Sequence, residues 1–229
     1  MSSVVRATLA DQAYRELRSR ILCGQLAGGS RLRPEELAAE LAISPTPVKE
    51  ALVRLEADGL AVVSARKGVV VRRLEEQDLR DIYDARLLIE LDALDRLFAR
   101  GPIDPALLDR LRAALEQHEA LARRETLDDL ASALGFDRAF HGALVEAAGN
   151  ALVAGWHRRI LGQTHTVFVY NIGNYMASAD EHRAVLDALA AGKRKLARDA
   201  LRAHLLRSRE DSLRTIRAAR GGLGRLRPG

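Results

Sequence analysis

Residues Glu35–Leu60 read EELAAELAISPTPVKEALVRLEADGL, and the spacing of their apolar side chains decides how the N-terminal third of the chain folds. Leu37 and Leu41 lie four apart, while Val48, Ala51, Leu52 and Leu55 fall at i, i+3, i+4 and i+7, one apolar stripe on each of two short helices. Pro47 disfavours helical geometry at Thr46, so the spacing predicts a second helix with Thr46 as N-cap and Pro47 at N1, where a missing N–H is harmless. Two short helices sharing a core across a tight turn read as a helix-turn-helix. The second helix then presents Lys49, Glu50, Val53 and Arg54 outward. Ser44, Pro45 and Thr46 cluster at its N-terminal tip, the part that reaches base edges in the major groove.

Working outward, Asp58-Gly59 ends that helix, and Leu60–Val71 alternates as LAVV, SARKG and VVV, a β-hairpin pattern. Its tip carries Arg66, Lys67 and Gly68, as the wing of a winged helix-turn-helix does where it touches phosphates and the neighbouring groove. A helical hairpin used for protein contacts is the alternative, and the basic tip favours DNA. Upstream, residues 8–23 are expected to form a first helix with Leu9, Ala13, Leu17 and Ile21 as its core stripe, stopped at Gly24. Arg31 and Arg33 stand within reach of phosphates, or are simply solvated.

The run LAAELAISPTPVKEALVRLEADGL, preceded by ILCGQLAGGSRLRPEE and followed by the Gly-bearing wing, closely resembles the DNA-binding domain of the GntR (gluconate-repressor) superfamily of bacterial regulators over about 65 residues. Two positions depart from the family's commoner pattern, which has Arg where this chain has Pro45 and Lys49. Arg bridges guanine O6 and N7 with a fixed fork, whereas Lys offers a flexible point charge, so operator preference is expected to differ.

With 229 residues, 48% apolar and 29% charged, the composition suits two modest globular domains and excludes a disordered chain. The single cysteine, Cys23, cannot form an internal disulfide and is read as a small residue near a helix end rather than a redox sensor. Met1–Gln12 lacks the apolar core of a secretory signal, and no apolar run approaches membrane-spanning length, so a cytoplasmic location is expected. The net charge of +5 is unevenly spread: residues 1–73 hold 12 Lys/Arg against 8 Asp/Glu, residues 74–213 hold 19 against 23, and residues 214–229 hold five Arg and no acid. A basic N-terminal domain suits phosphate contacts. The Gly/Arg-rich tail, 219–229, reads as a disordered, solvated end with DNA contact as its second reading.

From Glu75 onward nothing alternates and every segment has helical period. Breaks at Gly101-Pro102 with Asp104-Pro105, Glu125–Leu127, Gly149-Asn150, Gly173-Asn174 and Gly192 predict helices over 75–99, 104–123, 126–148, 150–172, 178–191 and 193–218. The expected architecture is mostly α: a winged helix-turn-helix over 1–73 and an all-α six-helix bundle over 74–218 for effector binding and dimerisation.

Three of the six histidines fall on apolar faces of this bundle. Asp137 and His141, four apart, share a face with Leu134, Leu144, Val145 and Ala148; His182 heads the stripe Val185, Leu186 and Leu189; His204 lies among Ala197, Leu201 and Leu205. One inward carboxylate and three inward imidazoles suit Zn, with Ni or Mn as alternatives. Each histidine alone is more often a core residue hydrogen-bonded to a carbonyl. His118 lands on an apolar stripe with no matching partner motif in the sequence, and His157 and His165 read as structural or exposed. In the first bundle helix, Arg86 is the only charge on the stripe Leu79, Ile82, Ile89, Ala93 and Leu97. It either pairs with Glu90 one turn on or waits to fork a ligand carboxylate, with Tyr83 lining the same cavity or simply packing.

The motifs FDRAFHGALVEAAGN, ADEHRAVLDAL and ARDALRAHL resemble the metal-binding effector domain of the FadR-like branch of the same superfamily, over residues 75 to about 215. The resemblance implies a divalent cation on Asp137, His141, His182 and His204 at the base of a ligand cavity, and associates Arg86 with acid-binding cavities. The expected function is a homodimeric regulator, a repressor, on a palindromic double-stranded DNA operator and modulated by a small organic acid. A metal-dependent, hydrolase-like enzyme and a plain dimerisation module with an empty polar cluster are the two rival readings.

Overall fold

A computed structural model describes residues 8–22, 24–123, 127–168 and 175–220. The chain divides into two compact units, Met1–Leu74 and Glu75–Gly229. The expected helix end at Cys23, the breaks at 124–126 and 173–174, the His165 side chain and residues 221–229 of the basic tail lie outside what is described.

In the first unit α1 (Leu9–Leu22), α2 (Pro34–Glu40) and α3 (Pro45–Ala57) precede a hairpin of β1 (Ala61–Ser64) and β2 (Gly68–Val71). Leu17, Ile21, Leu37, Val48, Leu52, Leu55, Leu60 and Val71 form its core, so the two apolar stripes do face one another. Leu9, expected in the α1 stripe, is instead half exposed, and Ala10 takes the buried place in that first turn. The hairpin pairs Ala61 with Val71 and Ser64 with Gly68, leaving residues 65–67 as the tip. Gly68, at φ 70°, supplies the left-handed residue that closes a three-residue loop. The segment before α2 adds to the other edge of β2: Leu32 N–H donates to Val69 O at 2.8 Å and Val71 N–H to Ser30 O at 2.9 Å.

The start of α3 corrects the expectation from sequence. Its N-cap is Ser44, with Pro45 at N1, and Thr46 is already inside the helix. Both prolines fit because each falls in the first turn, where the N–H has no intrahelical acceptor anyway. The turn that precedes it is closed by Ile43 N–H on Ala38 O at 3.0 Å and Ala42 N–H on Ala39 O at 3.3 Å, a Schellman pair. That geometry forces Ala42 to φ 54°, a positive value that no other non-glycine among the described residues adopts.

In the second unit the described residues form α4 (Glu76–Ala99), α5 (Pro105–Ala122), α6 (Leu127–Ala147), α7 (Ala151–Phe168), α8 (Tyr175–Ala190) and α9 (Arg194–Arg220). Caps explain several starts. Glu75 N–H donates to Asp78 Oδ2 at 2.8 Å ahead of α4, and Asp104 accepts from Ala106 N–H at 2.9 Å ahead of α5. α8 begins three residues before the expected 178, since no glycine or proline stands between Tyr175 and Ala190 to delay it. The main core joins Leu94, Leu111, Leu115, Phe140, Leu144, Val185, Leu189, Leu201 and Leu205. α4, α6, α8 and α9 thereby turn their polar exceptions toward one buried place.

An alanine in left-handed backbone costs roughly 1–2 kcal/mol, and glycine regains part of that cost in the unfolded chain. Ala42→Gly should therefore stabilise the first unit by about 0.5–1 kcal/mol, seen as a higher urea midpoint at unchanged slope.

Candidate functional site

α6 carries Asp137 and His141 one turn apart, α8 carries His182, and α9 carries His204. The three imidazoles are 0–2% exposed, and Asp137 retains 13% side-chain exposure. Their Nε2 atoms form a nearly equilateral triangle: His141 to His182 is 3.0 Å, His182 to His204 is 3.2 Å and His204 to His141 is 3.2 Å. Asp137 Oδ1 lies 3.5 Å from His182 Nε2, and all four ligand atoms fall within 4.8 Å of one another. The four residues expected to share a site from the sequence are thus brought together.

Outer partners decide what these nitrogens can do. His141 Nδ1 lies 2.6 Å from Glu90 Oε2, and His204 Nδ1 lies 2.8 Å from Glu181 Oε2. Burial acts to raise the Glu90 pKa, but the charge of Arg86 and hydrogen bonds from His141 and His157 hold it well below the usual carboxylate range. Glu181 is likewise lowered, against its burial, by His204 and Arg207. Both carboxylates are ionised acceptors, so the facing Nδ1 atoms carry the protons. Burial, with His204 and His141 beside it, pushes His182 well below the usual imidazole range. Burial also lowers His204, in spite of Glu181. With those protons on Nδ1, the neutral imidazoles of His141 and His204 turn Nε2 lone pairs toward one another. A hydrogen on His182 Nε2 can satisfy one of them, and its own Nδ1 is buried with no partner among the described residues.

A single hydrogen on His182 Nε2 would have to be shared between two acceptors at 3.0 and 3.2 Å, whereas a cation would accept all three lone pairs. Three nitrogens with edges of 3.0–3.2 Å are close enough to share one divalent ion roughly 2.1 Å from each. The donor set therefore fits a divalent metal, and His141 and His204 already have the carboxylate partners that metal-binding histidines use.

Beside the triangle, Arg86 is 2% exposed and Tyr83 fully buried. Arg86 Nε donates to Glu90 Oε1 at 2.7 Å, while its Nη2 has no partner among the described residues. Of the two alternatives for Arg86, the pairing with Glu90 is present, and one nitrogen stays without a partner among the described residues. The Tyr83 hydroxyl lies 3.2 Å from Ser212 Oγ, and its ring lies 5.3 Å from the guanidinium. Burial pushes the Tyr83 hydroxyl up to about 12, so it stays protonated. His157, read as structural or exposed, is buried with Nε2 3.0 Å from Glu90 Oε1; sequence reading missed Glu90 and Glu181 as partners of the histidines. Only the spacing of Arg86 and Glu90, four apart on the core stripe, hinted at any of this. His118 is buried and stands edge-on to His182 with ring centroids 5.7 Å apart.

In the first unit Ser44, Pro45, Thr46 and Lys49 are exposed at the start of α3, and Arg66, Lys67 and Gly68 are exposed at the hairpin tip. Their charges are not equally free. Lys49 lies 3.6 Å from Glu35 and Arg33 pairs with Glu36. Arg54 bonds Asp11 at 2.6 Å and covers the Tyr14 ring at 4.3 Å, and it holds the Asp11 carboxyl down to about 2. Arg66 and Lys67 make no ion pair among the described residues.

A model of the gntR family of bacterial regulatory proteins matches residues 9–71, and a model of the FCD domain matches residues 81–207. An uncharacterized HTH-type transcriptional regulator from Streptomyces ambofaciens is 34% identical over 211 residues, 90% of this chain and 85% of its own. A protein from Paenarthrobacter nicotinovorans named a probable D-xylose utilization operon transcriptional repressor is 32% identical over 206 residues, 88% of each. Among solved structures, McbR/YncC of E. coli shares the fold with a TM-score of 0.76 at 20% identity, over 92% of this chain and 100% of that one. A GntR regulator from Rhodococcus sp. RHA1 gives 0.74 at 25% identity, over 89% and 97%. Such relatives are regulators, which removes the ground for the metalloenzyme reading. The chain belongs to the GntR family of bacterial regulatory proteins, as a DNA-binding transcriptional regulator whose second unit is an FCD domain.

Proposed function

We propose that this regulator is a repressor that binds a palindromic operator as a homodimer and that its hold on DNA is modulated by a small organic acid bound beside a divalent metal. The triangle of Nε2 atoms carries this reading, because it is crowded without a cation and well matched with one. Asp137, His141, His182 and His204 would hold the ion, zinc by preference and nickel or manganese as alternatives. When bound, the metal supplies a fixed positive charge that attracts an anionic ligand. Arg86 Nη2 offers a charge-assisted bond to the ligand's carboxylate, and Tyr83 lines the same wall. To change operator occupancy, the acid must bind two conformations of the protein with different affinity.

Ser44, Pro45, Thr46 and Lys49 are proposed to meet base edges, and Arg33, Arg66, Lys67 and the Gly68 backbone to meet the sugar-phosphate backbone. Arg54 reaches DNA only by leaving Asp11. A second copy finds an apolar face on α4 and α7, where Leu88, Leu152 and Trp156 are 75%, 63% and 51% exposed. Two relatives named gluconate operon repressors, 30% and 33% identical, support repression. A chromosomal operator places the protein in the cytoplasm, and no described helix is long and apolar enough to cross a membrane.

Purified protein should carry a divalent metal by elemental analysis, and His141→Ala with His182→Ala should lose it. A metal-free wild type with unchanged properties would instead favour the plain dimerisation module. Binding to DNA upstream of its own gene should fall steeply with salt, with Arg66→Ala and Lys67→Ala each lowering the salt slope by about 1. Lys49→Ala should weaken discrimination at one base pair by about 1–3 kcal/mol. Arg86→Ala should abolish the response to the acid and destabilise the second unit by roughly 3–5 kcal/mol, since Glu90 stays buried without its cation.

A further inference from the structure

Glu90 is fully buried and accepts from three helices at once. Arg86 Nε on its own helix lies at 2.7 Å and His157 Nε2 on α7 at 3.0 Å, both on Oε1, while His141 Nδ1 on α6 lies at 2.6 Å from Oε2. The three imidazoles of the candidate metal site are held unequally. His141 has this buried carboxylate, His204 has the partly exposed Glu181, and His182 Nδ1 has no partner among the described residues.

We infer that Glu90 is the positioning residue of the metal site: by fixing the proton of His141 on Nδ1 it keeps Nε2 bare for the ion, and through His157 it ties that ligand to α7. The inference rests on the metal reading above.

A carboxylate has an acceptor at each oxygen, and this place needs both. An amide has one. Arg86 can only donate, so glutamine at position 90 turns its carbonyl oxygen toward Arg86 and its NH2 toward His141. Facing a donor, His141 moves its proton from Nδ1 to Nε2, where it blocks coordination. His157 does not oppose this arrangement, because either of its tautomers is open to it: its Nδ1 has no partner among the described residues. The defect comes from the direction of one hydrogen bond, so removing Arg86 as well should relieve it. The amide is then free to turn its oxygen back to His141.

The test uses the full-length protein stripped with chelator, titrated with Ni²⁺ by calorimetry, with imidazole ¹⁵N shifts reporting tautomers. Wild type should bind Ni²⁺ with His141 protonated on Nδ1. Glu90→Gln should bind about 10- to 100-fold more weakly, as lost outer partners do at metal-bound histidines, with the His141 proton on Nε2. Arg86→Met with Glu90→Gln should recover much of the affinity, whereas Arg86→Met with Glu90→Leu, which offers His141 no acceptor, should not. Neither double variant leaves the guanidinium or the carboxylate buried without its opposite charge, so their comparison decides the matter even if Glu90→Gln fails to fold. Equal Ni²⁺ affinity in the two double variants, or a folded Glu90→Gln that binds like wild type, overturns the role of Glu90 and leaves the metal site standing. A wild type that takes up no metal overturns the metal reading and this role together.

Discussion

Three imidazole nitrogens 3.0–3.2 Å apart in a place without solvent are the constraint on which the second unit turns. Buried polar groups are tolerated only when each finds a partner, and three converging lone pairs cannot satisfy one another. The surrounding helices answer on the outside of the rings, where Glu90 and Glu181 take the Nδ1 protons. They leave the inside to a positive charge. A site of this kind is expensive to bury around apolar residues such as Phe140, which stacks on His182 at 4.6 Å between ring centroids, a cost that the proposed ion would offset.

The same chemistry explains why Arg86 and Glu90 occur together on α4. A lone guanidinium there would be prohibitive to bury, and a lone carboxylate beside two histidines would lack a permanent cation. Paired at i and i+4, they neutralise one another along one edge and still leave Arg86 Nη2 available. One short stretch of helix thus supports both His141 of the candidate metal site and the place where the proposed acid would sit.

In the first unit, charge is divided by what each cation already holds. Arg54 braces α3 against α1 through Asp11 and Tyr14, so its positive charge is largely spent on the fold. Arg66 and Lys67 stand at the wing tip on a two-stranded hairpin, and Ser44, Pro45 and Thr46 stand exposed at a helix start. These are the positions from which backbone and base contacts are commonly made. Lys49, held only at 3.6 Å by Glu35 on an exposed surface, gives up little on release.

The sequence by itself determined the helical period, the hairpin and the inward direction of Asp137, His141, His182 and His204, because burial imposes a repeat of 3.6 or 2 that can be read from neighbouring residues. Resemblance to a known family joined those four positions into one expected site. Local pattern was less decisive where two local rules agreed equally well: Pro45 and Pro47 are both acceptable in a first turn, so the N-cap fell on Ser44 and not Thr46, and in the first turn of α1 Ala10 took the buried place expected of Leu9. Only the tertiary structure decided that Glu90 serves His141 and His157. Those partners lie 51 and 67 residues away on other helices, and hydrogen bonds across such distances leave no period in the chain. They arise when separately specified helices are packed and each buried charge must take whichever donors the packing brings to it.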